Sequence, residues 1–358
     1  MTLQYTDHRG NPDRWAQELG VSKEACDLLL SADFIDLHLD LEVPVRLLRY
    51  DPHRHHGIAK RRAWFFGHTD YPRLLEASFT GLVYDIATNP LRPRKNRQKT
   101  TLANIKNSVV RLEQHSEHFA IVRGRKDYDE AQKKGQIACW LSLQGGNALS
   151  HDPTVLLGGV GDDLLRITLV HLTSSNLGGT SSPLGRDRGL TSAGRRYIEI
   201  CDEKDIVLDL AHAGKRTFWD ALEVHDKTKP FVVSHTGVTG VRPHWRNIDD
   251  DQLRAVADSG GVVGVVYQGS FLTPRWKKET RSYIVDHLEH ICNVIGEDYA
   301  AIGTDYDGAI VPPVDLPDVT HHPRLVQDML NRGWSEDRIR KILGLNFLNV
   351  VEKIRPGS

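Results

Sequence analysis

Cysteine is scarce. Cys26, Cys139, Cys201 and Cys292 are the only four in 358 residues, too few and too far apart for a disulfide framework or a zinc knuckle. No window approaches the roughly 18 apolar residues of a membrane span. Neither sign of charge prevails: 46 Lys and Arg face 47 Asp and Glu, for a net charge of −1. That balance excludes a general nucleic-acid binder, which needs a basic excess. The first twenty residues carry Asp7, His8, Arg9, Asp13 and Arg14 with no apolar stretch, so no secretory signal is read there and a cytoplasmic location is expected. With 39% hydrophobic and 26% charged residues the chain has a globular composition, not that of a disordered one.

What is present is alternation. Eight β-rich runs, Phe34–His38, Ser78–Ala87, Ile137–Leu143, Leu165–Val170, Ile206–Leu210, Phe231–Ser234, Gly261–Tyr267 and Tyr299–Gly303, are rich in Val, Ile, Leu and Ala. Such near-continuous apolar runs fit parallel strands covered on both faces. Between them, Leu102, Ile105, Val109 and Leu112 place one apolar stripe on a helix. Strand–helix alternation eight times over predicts an α/β fold, a (β/α)8 TIM barrel of the metal-dependent hydrolase type. A helical N-terminal arm over 1–32 and one catalytic domain over 33–358 are expected, with inserted loops. A doubly wound open sheet is the alternative. Two basic stretches, Arg46–Arg62 (with His53, His55 and His56) and Leu91–Lys99, read as solvated loops at the barrel rim or as a cationic lid.

The polar residues at the strand ends are His38 with Asp40, Gln144, His171, His212, His235, Tyr267 and Asp305. In barrel enzymes those ends converge on one face and carry the chemistry. Imidazole and carboxylate together suit a divalent ion such as zinc. His38 and Asp40, two apart on a strand, point the same way. Each of these residues alone is as compatible with a structural role; their conjunction points to a site.

Several stretches carry a resemblance to the membrane (renal) dipeptidase family of zinc peptidases. They are Ile35-Asp36-Leu37-His38-Leu39-Asp40, Arg166-Ile167-Thr168-Leu169-Val170-His171, Gly189-Leu190-Thr191-Ser192-Ala193-Gly194, Asp209-Leu210-Ala211-His212 and Val233-Ser234-His235. Arg246-Asn247-Ile248-Asp249-Asp250, Gly303-Thr304-Asp305-Tyr306-Asp307-Gly308 and Gly344-Leu345-Asn346-Phe347 continue the series. The resemblance implies a metal-dependent hydrolase that cleaves a dipeptide or related small amide with metal-activated water. One ion would take His38 and Asp40, the other His212 and His235, with a carboxylate bridging them. Asp305 would handle the proton of the attacking water, or serve as a ligand. His171 would stabilise the oxyanion, Tyr267 would line the pocket, and Arg246 would clamp the substrate carboxylate. Family members are commonly dimers, so a homodimer is expected, with a dipeptide-like substrate and neither nucleic acid nor membrane as partner.

One position departs from the pattern. The resemblance implies a bridging Glu followed by Gly-Gly-His, where this chain has Gln144-Gly145-Gly146-Asn147. A carboxylate offers two anionic oxygens; an amide offers one neutral oxygen and an NH₂ that repels cations. Gln144 is therefore expected to be a weak ligand or none, with Asn147 lining the substrate site. The expected cofactor is one zinc ion, or sub-stoichiometric zinc, rather than two. Asp307 is the nearest carboxylate that a shift could bring into the missing role. The competing readings are a catalytically silent relative that binds a small peptide-like ligand, and a deaminase- or phosphotriesterase-type amidohydrolase. The last usually opens with His-x-His, which this chain lacks.

Overall fold

The computed structural model describes residues 2–57, 64–87, 92, 94–274 and 280–357. Among the described residues nine strands alternate with helices: β1 (Ile35–Leu39), β2 (Gly81–Ala87), β3 (Phe119–Ile121), β4 (Ile137–Gln144), β5 (Leu164–Thr168), β6 (Val207–Asp209), β7 (Val233–Thr236), β8 (Val263–Val265) and β9 (Ala300–Ile302). Eight match the runs read from sequence. The ninth, β3, is a three-residue edge strand, parallel to β4 with Phe119 opposite Ile137. It is too short for a pattern to reveal. No described helix is long and apolar enough to cross a membrane.

The chain divides into two compact units, interleaved in sequence: Met1–Leu82, His235–Leu253 and Val263–Phe347 form the first, and Val83–Ser234, Arg254–Val262 and Leu348–Ser358 the second. In the second unit β4 pairs in parallel with β5, and β5 with β6. Their inner polar layer is an ion-pair network that the sequence pattern hid. Arg166 reaches Asp85, donates to Asp209 at 2.6 Å and to Ser142 at 3.0 Å, and is 1% exposed. Asp209 also accepts from Thr168 and from both the backbone and hydroxyl of Ser234. A charge inside the apolar run Leu164–Thr168 was the available signal, since buried charges are tolerated only when paired.

In the first unit β8 pairs in parallel with β9, and Leu39 bridges Tyr306. Two N-terminal helices, Pro12–Leu19 and Lys23–Ser31, are capped by Asn11 and Ser22, whose side chains satisfy first-turn amides. The helix Glu42–Leu48 takes up Arg46, which donates to the Glu42 carbonyl. Arg97 and Lys99 lie in the helix Arg94–Glu113. Both basic stretches are thus partly helical rather than loops; 58–63, 88–91 and 93 lie outside the described residues. His55 and His56 pair with Glu76 at 3.1 Å and Asp70 at 3.2 Å, so they brace this unit instead of forming a free surface chelate.

His287 is fully buried. Its Nδ1 accepts from the Val238 amide at 2.9 Å while Nε2 faces the Leu272 carbonyl at 3.1 Å. Protonating Nδ1 would break the first bond. Burial pushes His287 down to about 4, and likewise His322, which is enclosed by Phe34, Phe79, Tyr267 and Tyr306. A histidine whose folded value lies below its unfolded one loses stability as pH falls, because the unfolded chain takes the proton more readily. Stability to urea is therefore expected to drop by about 3 kcal/mol per group between pH 6.5 and 4. Urea midpoints measured across that range check this, and His287→Leu with His322→Leu should flatten the slope.

Candidate metal centre

The first unit brings His38, His235 and Asp305 together. One ligand atom of each lies within 4.8 Å of the others, and all three side chains are buried. His38 is the penultimate residue of β1 and His235 sits in β7, so both residues are held by strand backbone. Their rings stack with centroids 3.8 Å apart. Two charged imidazoliums would repel at that spacing, whereas two neutral rings can offer lone pairs to one cation.

His38 Nε2 lies 3.6 Å from Asp40 Oδ2 and 3.6 Å from Asp305 Oδ1. These separations exceed a good hydrogen bond. They approach the roughly 3.3 Å between two donors sharing a tetrahedral ion at zinc–nitrogen and zinc–oxygen bond lengths. The donor set, two imidazoles and two carboxylates, is the chemistry of a borderline divalent ion. The residues present fit a metal. His38 and His235, read from sequence as ligands of separate ions, each have a ligand atom within 4.8 Å of the other and of Asp305.

The turn after β9 explains how Asp305 is aimed. Asp305, Asp307 and Ala309 all adopt left-handed backbone, with φ of 61°, 66° and 64°, a conformation that costs energy for residues with a Cβ. Asp305 N donates to the His38 carbonyl at 3.0 Å, and Asp40 N to the Tyr306 carbonyl at 2.9 Å. These bonds lock the turn to β1. A Cβ built on Gly308 would meet Asp305 Oδ1 and lie 2.9 Å from Asp40 Oδ2. Gly308→Ala is therefore expected to weaken metal affinity about 10–100-fold, the range found for residues that orient metal ligands. Competition with a chromogenic chelator would measure it, while the melting temperature should move by only a few degrees.

Asp307, the carboxylate read as a reserve bridge, is committed elsewhere. It accepts from the amides of Gly67, His68 and Thr69 and from the Thr69 hydroxyl. Burial alone would raise its pKa, but the hydrogen bonds and charge of His68 and the Thr69 hydroxyl outweigh it and hold the carboxyl below its usual range. Moving it would strip four bonds from a buried loop, so it is not a reserve bridge.

Arg246 is 3% exposed and donates to the His235 carbonyl at 2.6 Å. Its backbone carbonyl accepts from Thr236. Tyr267 is fully buried, edge-on to Tyr306 at 5.4 Å and tilted against His322 at 5.8 Å; its surroundings are a packed aromatic cluster.

The second unit assembles a further group. Gln144 ends β4 with its Nε2 3.4 Å from His212 Nε2. The His212 ring meets His171 edge-on at 4.6 Å. His212 itself is left-handed, φ 64°, and its carbonyl accepts from the Thr180 hydroxyl and the Ser181 amide, both at 2.9 Å. Asn147 lies in a short 3-10 turn after left-handed Gly145 and is 8% exposed. Gly146 has no room for a side chain, since a Cβ would come within 3.1 Å of Leu177 and Tyr197. Sequence reasoning gave no role to Gly308, His68 or Arg166 and read Asp307 only as a reserve bridge. Gly308, Asp307 and Arg166 stood inside quoted motifs, but only the folded contacts reveal their work.

Buried imidazoles and carboxylates at parallel-strand ends fit a divalent metal, and solved structures agree on the fold. A metallopeptidase from Rhodobacter sphaeroides, solved with a phosphinate mimic of the dipeptide L-Ala-D-Ala, is 24% identical with a TM-score of 0.79 over 90% of this chain and 99% of that one. The probable dipeptidase PvdM from Pseudomonas aeruginosa is 15% identical with a TM-score of 0.80, over 97% of this chain and 100% of that one. An amidohydrolase from Pseudomonas aeruginosa is 22% identical with a TM-score of 0.75, over 92% and 98%. The fold is the (β/α)8 class. The profile of the membrane dipeptidase family (peptidase family M19) matches residues 22–356, and this chain belongs to that family. It is thus a hydrolase of the metal-dependent dipeptidase type.

Proposed function

We propose that the protein hydrolyses a dipeptide or a related small amide at a single zinc ion held by His38, His235 and Asp305, with Asp40 alongside. The convergence of those buried donors is the observation that carries the reading. An ion bound there supplies Lewis acidity, polarising the scissile carbonyl and easing loss of a proton from water. Asp305, whose Oδ1 lies 3.6 Å from His38 Nε2, is the carboxylate placed to take the water's proton and hand it to the leaving amine. Arg246 braces the strand under His235, and by family resemblance meets the substrate carboxylate. His171 takes the oxyanion role on the same resemblance, and Tyr267 and Asn147 are proposed to shape the substrate site.

Release of free amino acids from a panel of dipeptides, with zinc removed by chelator and then restored, tests this. Hydrolysis should vanish and return. No hydrolysis of any dipeptide by fully zinc-loaded protein would favour the silent, ligand-binding relative. Gln144 is proposed to limit the protein to one tightly held ion, because the resemblance places an anionic bridge at that position. Gln144→Glu is then expected to raise zinc per chain toward two and to increase the hydrolysis rate at least several-fold. Mass-spectrometric metal analysis with parallel rate measurements checks both, and no change in either would remove Gln144 from the site.

A further inference from the structure

The loop between β5 and the helix Ser192–Glu203 lines an open cavity of about 500 Å³ whose walls include Ser174, Pro183, Leu184, Arg186, Arg188 and Thr191. The loop is built tightly. A Cβ on Gly179 would come within 2.6 Å of the Arg186–Arg188 backbone, and one on Gly185 would lie 2.8 Å from the Ser174 hydroxyl. Its polar groups are mostly spent on its own shape. Ser174 accepts from the Arg186 amide and donates to the Arg186 carbonyl. Ser175 accepts from Leu177, and Thr191 donates to Asn176.

The acids are turned away as well. Asp187 accepts from the amides of Gly189, Arg216 and Thr217 and from the Thr217 hydroxyl, capping the helix Lys215–Val224 from outside. Asp220 accepts from the Leu190 amide. What remains is two guanidinium groups, on Arg186 and Arg188, both exposed, with no acidic partner among the described residues. Arg186 and Arg188, two apart in sequence, both line the concave wall. An oxyanion can accept forked hydrogen bonds from each guanidinium.

We propose that this cavity is a binding site for a small oxyanion, a carboxylate or a phosphate, with Arg186 and Arg188 as its charged contacts. The inference is independent of the hydrolytic reading, since it needs no metal. Leu184, 75% exposed at the rim, supplies an apolar contact for the carbon skeleton of an organic anion.

Calorimetric titration of the full chain with inorganic phosphate and, separately, with succinate tests it. The R186A/R188A variant serves as the comparison, and its melting temperature should match the parent because both side chains are exposed. Saturable binding of either anion at low salt, weakened at least tenfold in that variant and also by added sodium chloride, is the expected result. Phosphate alone would assign a phosphoryl ligand, and succinate alone a dicarboxylate. No saturable heat from either anion, or equal affinity in parent and variant, overturns the site.

Discussion

His38→Ala is expected to lower kcat/KM for a dipeptide by at least ~100-fold and to leave the purified protein with little bound zinc. Disturbing even a residue that only orients a metal ligand costs about 10–100-fold in affinity or activity, and this change removes a ligand. His38 is fully buried, stacked on His235 and 3.6 Å from two carboxylates. Deleting the imidazole leaves Asp40 and Asp305 with less to hold a cation between them. The readouts are steady-state kinetics and metal content on the same sample. Asp305→Asn separates the two effects. An amide oxygen can still touch the ion weakly but cannot accept a proton, so the rate should fall more than metal content does. Retention of both rate and zinc in His38→Ala would remove this residue from the chemistry.

Arg166→Met is expected to destabilise the fold by about 3–5 kcal/mol, the cost of stranding buried charge when one partner of an ion pair is removed. Asp85 and Asp209 both rely on that guanidinium and both are fully buried. A loss of this size is a large share of a typical folding free energy, so soluble yield should drop sharply. Arg166→Lys should recover only part of it, because a single ammonium cannot span Asp85, Asp209 and Ser142 as a planar fork does. Urea denaturation of the two variants measures the difference. Wild-type stability in Arg166→Met would mean that the network adds nothing to folding.

Most of the architecture was legible because parallel strands covered on both faces must be apolar, and Val262–Val266 or Leu208–Leu210 announce themselves. The edge strand β3 was not, since three residues carry no period. The metal donors were readable as residue types at strand ends, His38 and His235 above all. Their grouping was not readable, because which side chains share an ion depends on strand stagger and on the left-handed turn at Asp305. His287 was not legible either, since its partners, the Val238 amide and the Leu272 carbonyl, are distant in sequence. Asp307 read on paper as a reserve bridge; four hydrogen bonds from the 67–69 loop commit it elsewhere.

An anomalous difference map at the zinc edge, from crystals grown with the metal, addresses the centre directly. A peak about 2.0–2.2 Å from a nitrogen of His38, a nitrogen of His235 and an oxygen of Asp305 is the expected outcome. A crystal whose zinc binds elsewhere and leaves these three side chains bare would show that the buried cluster is not where this chain holds its ion.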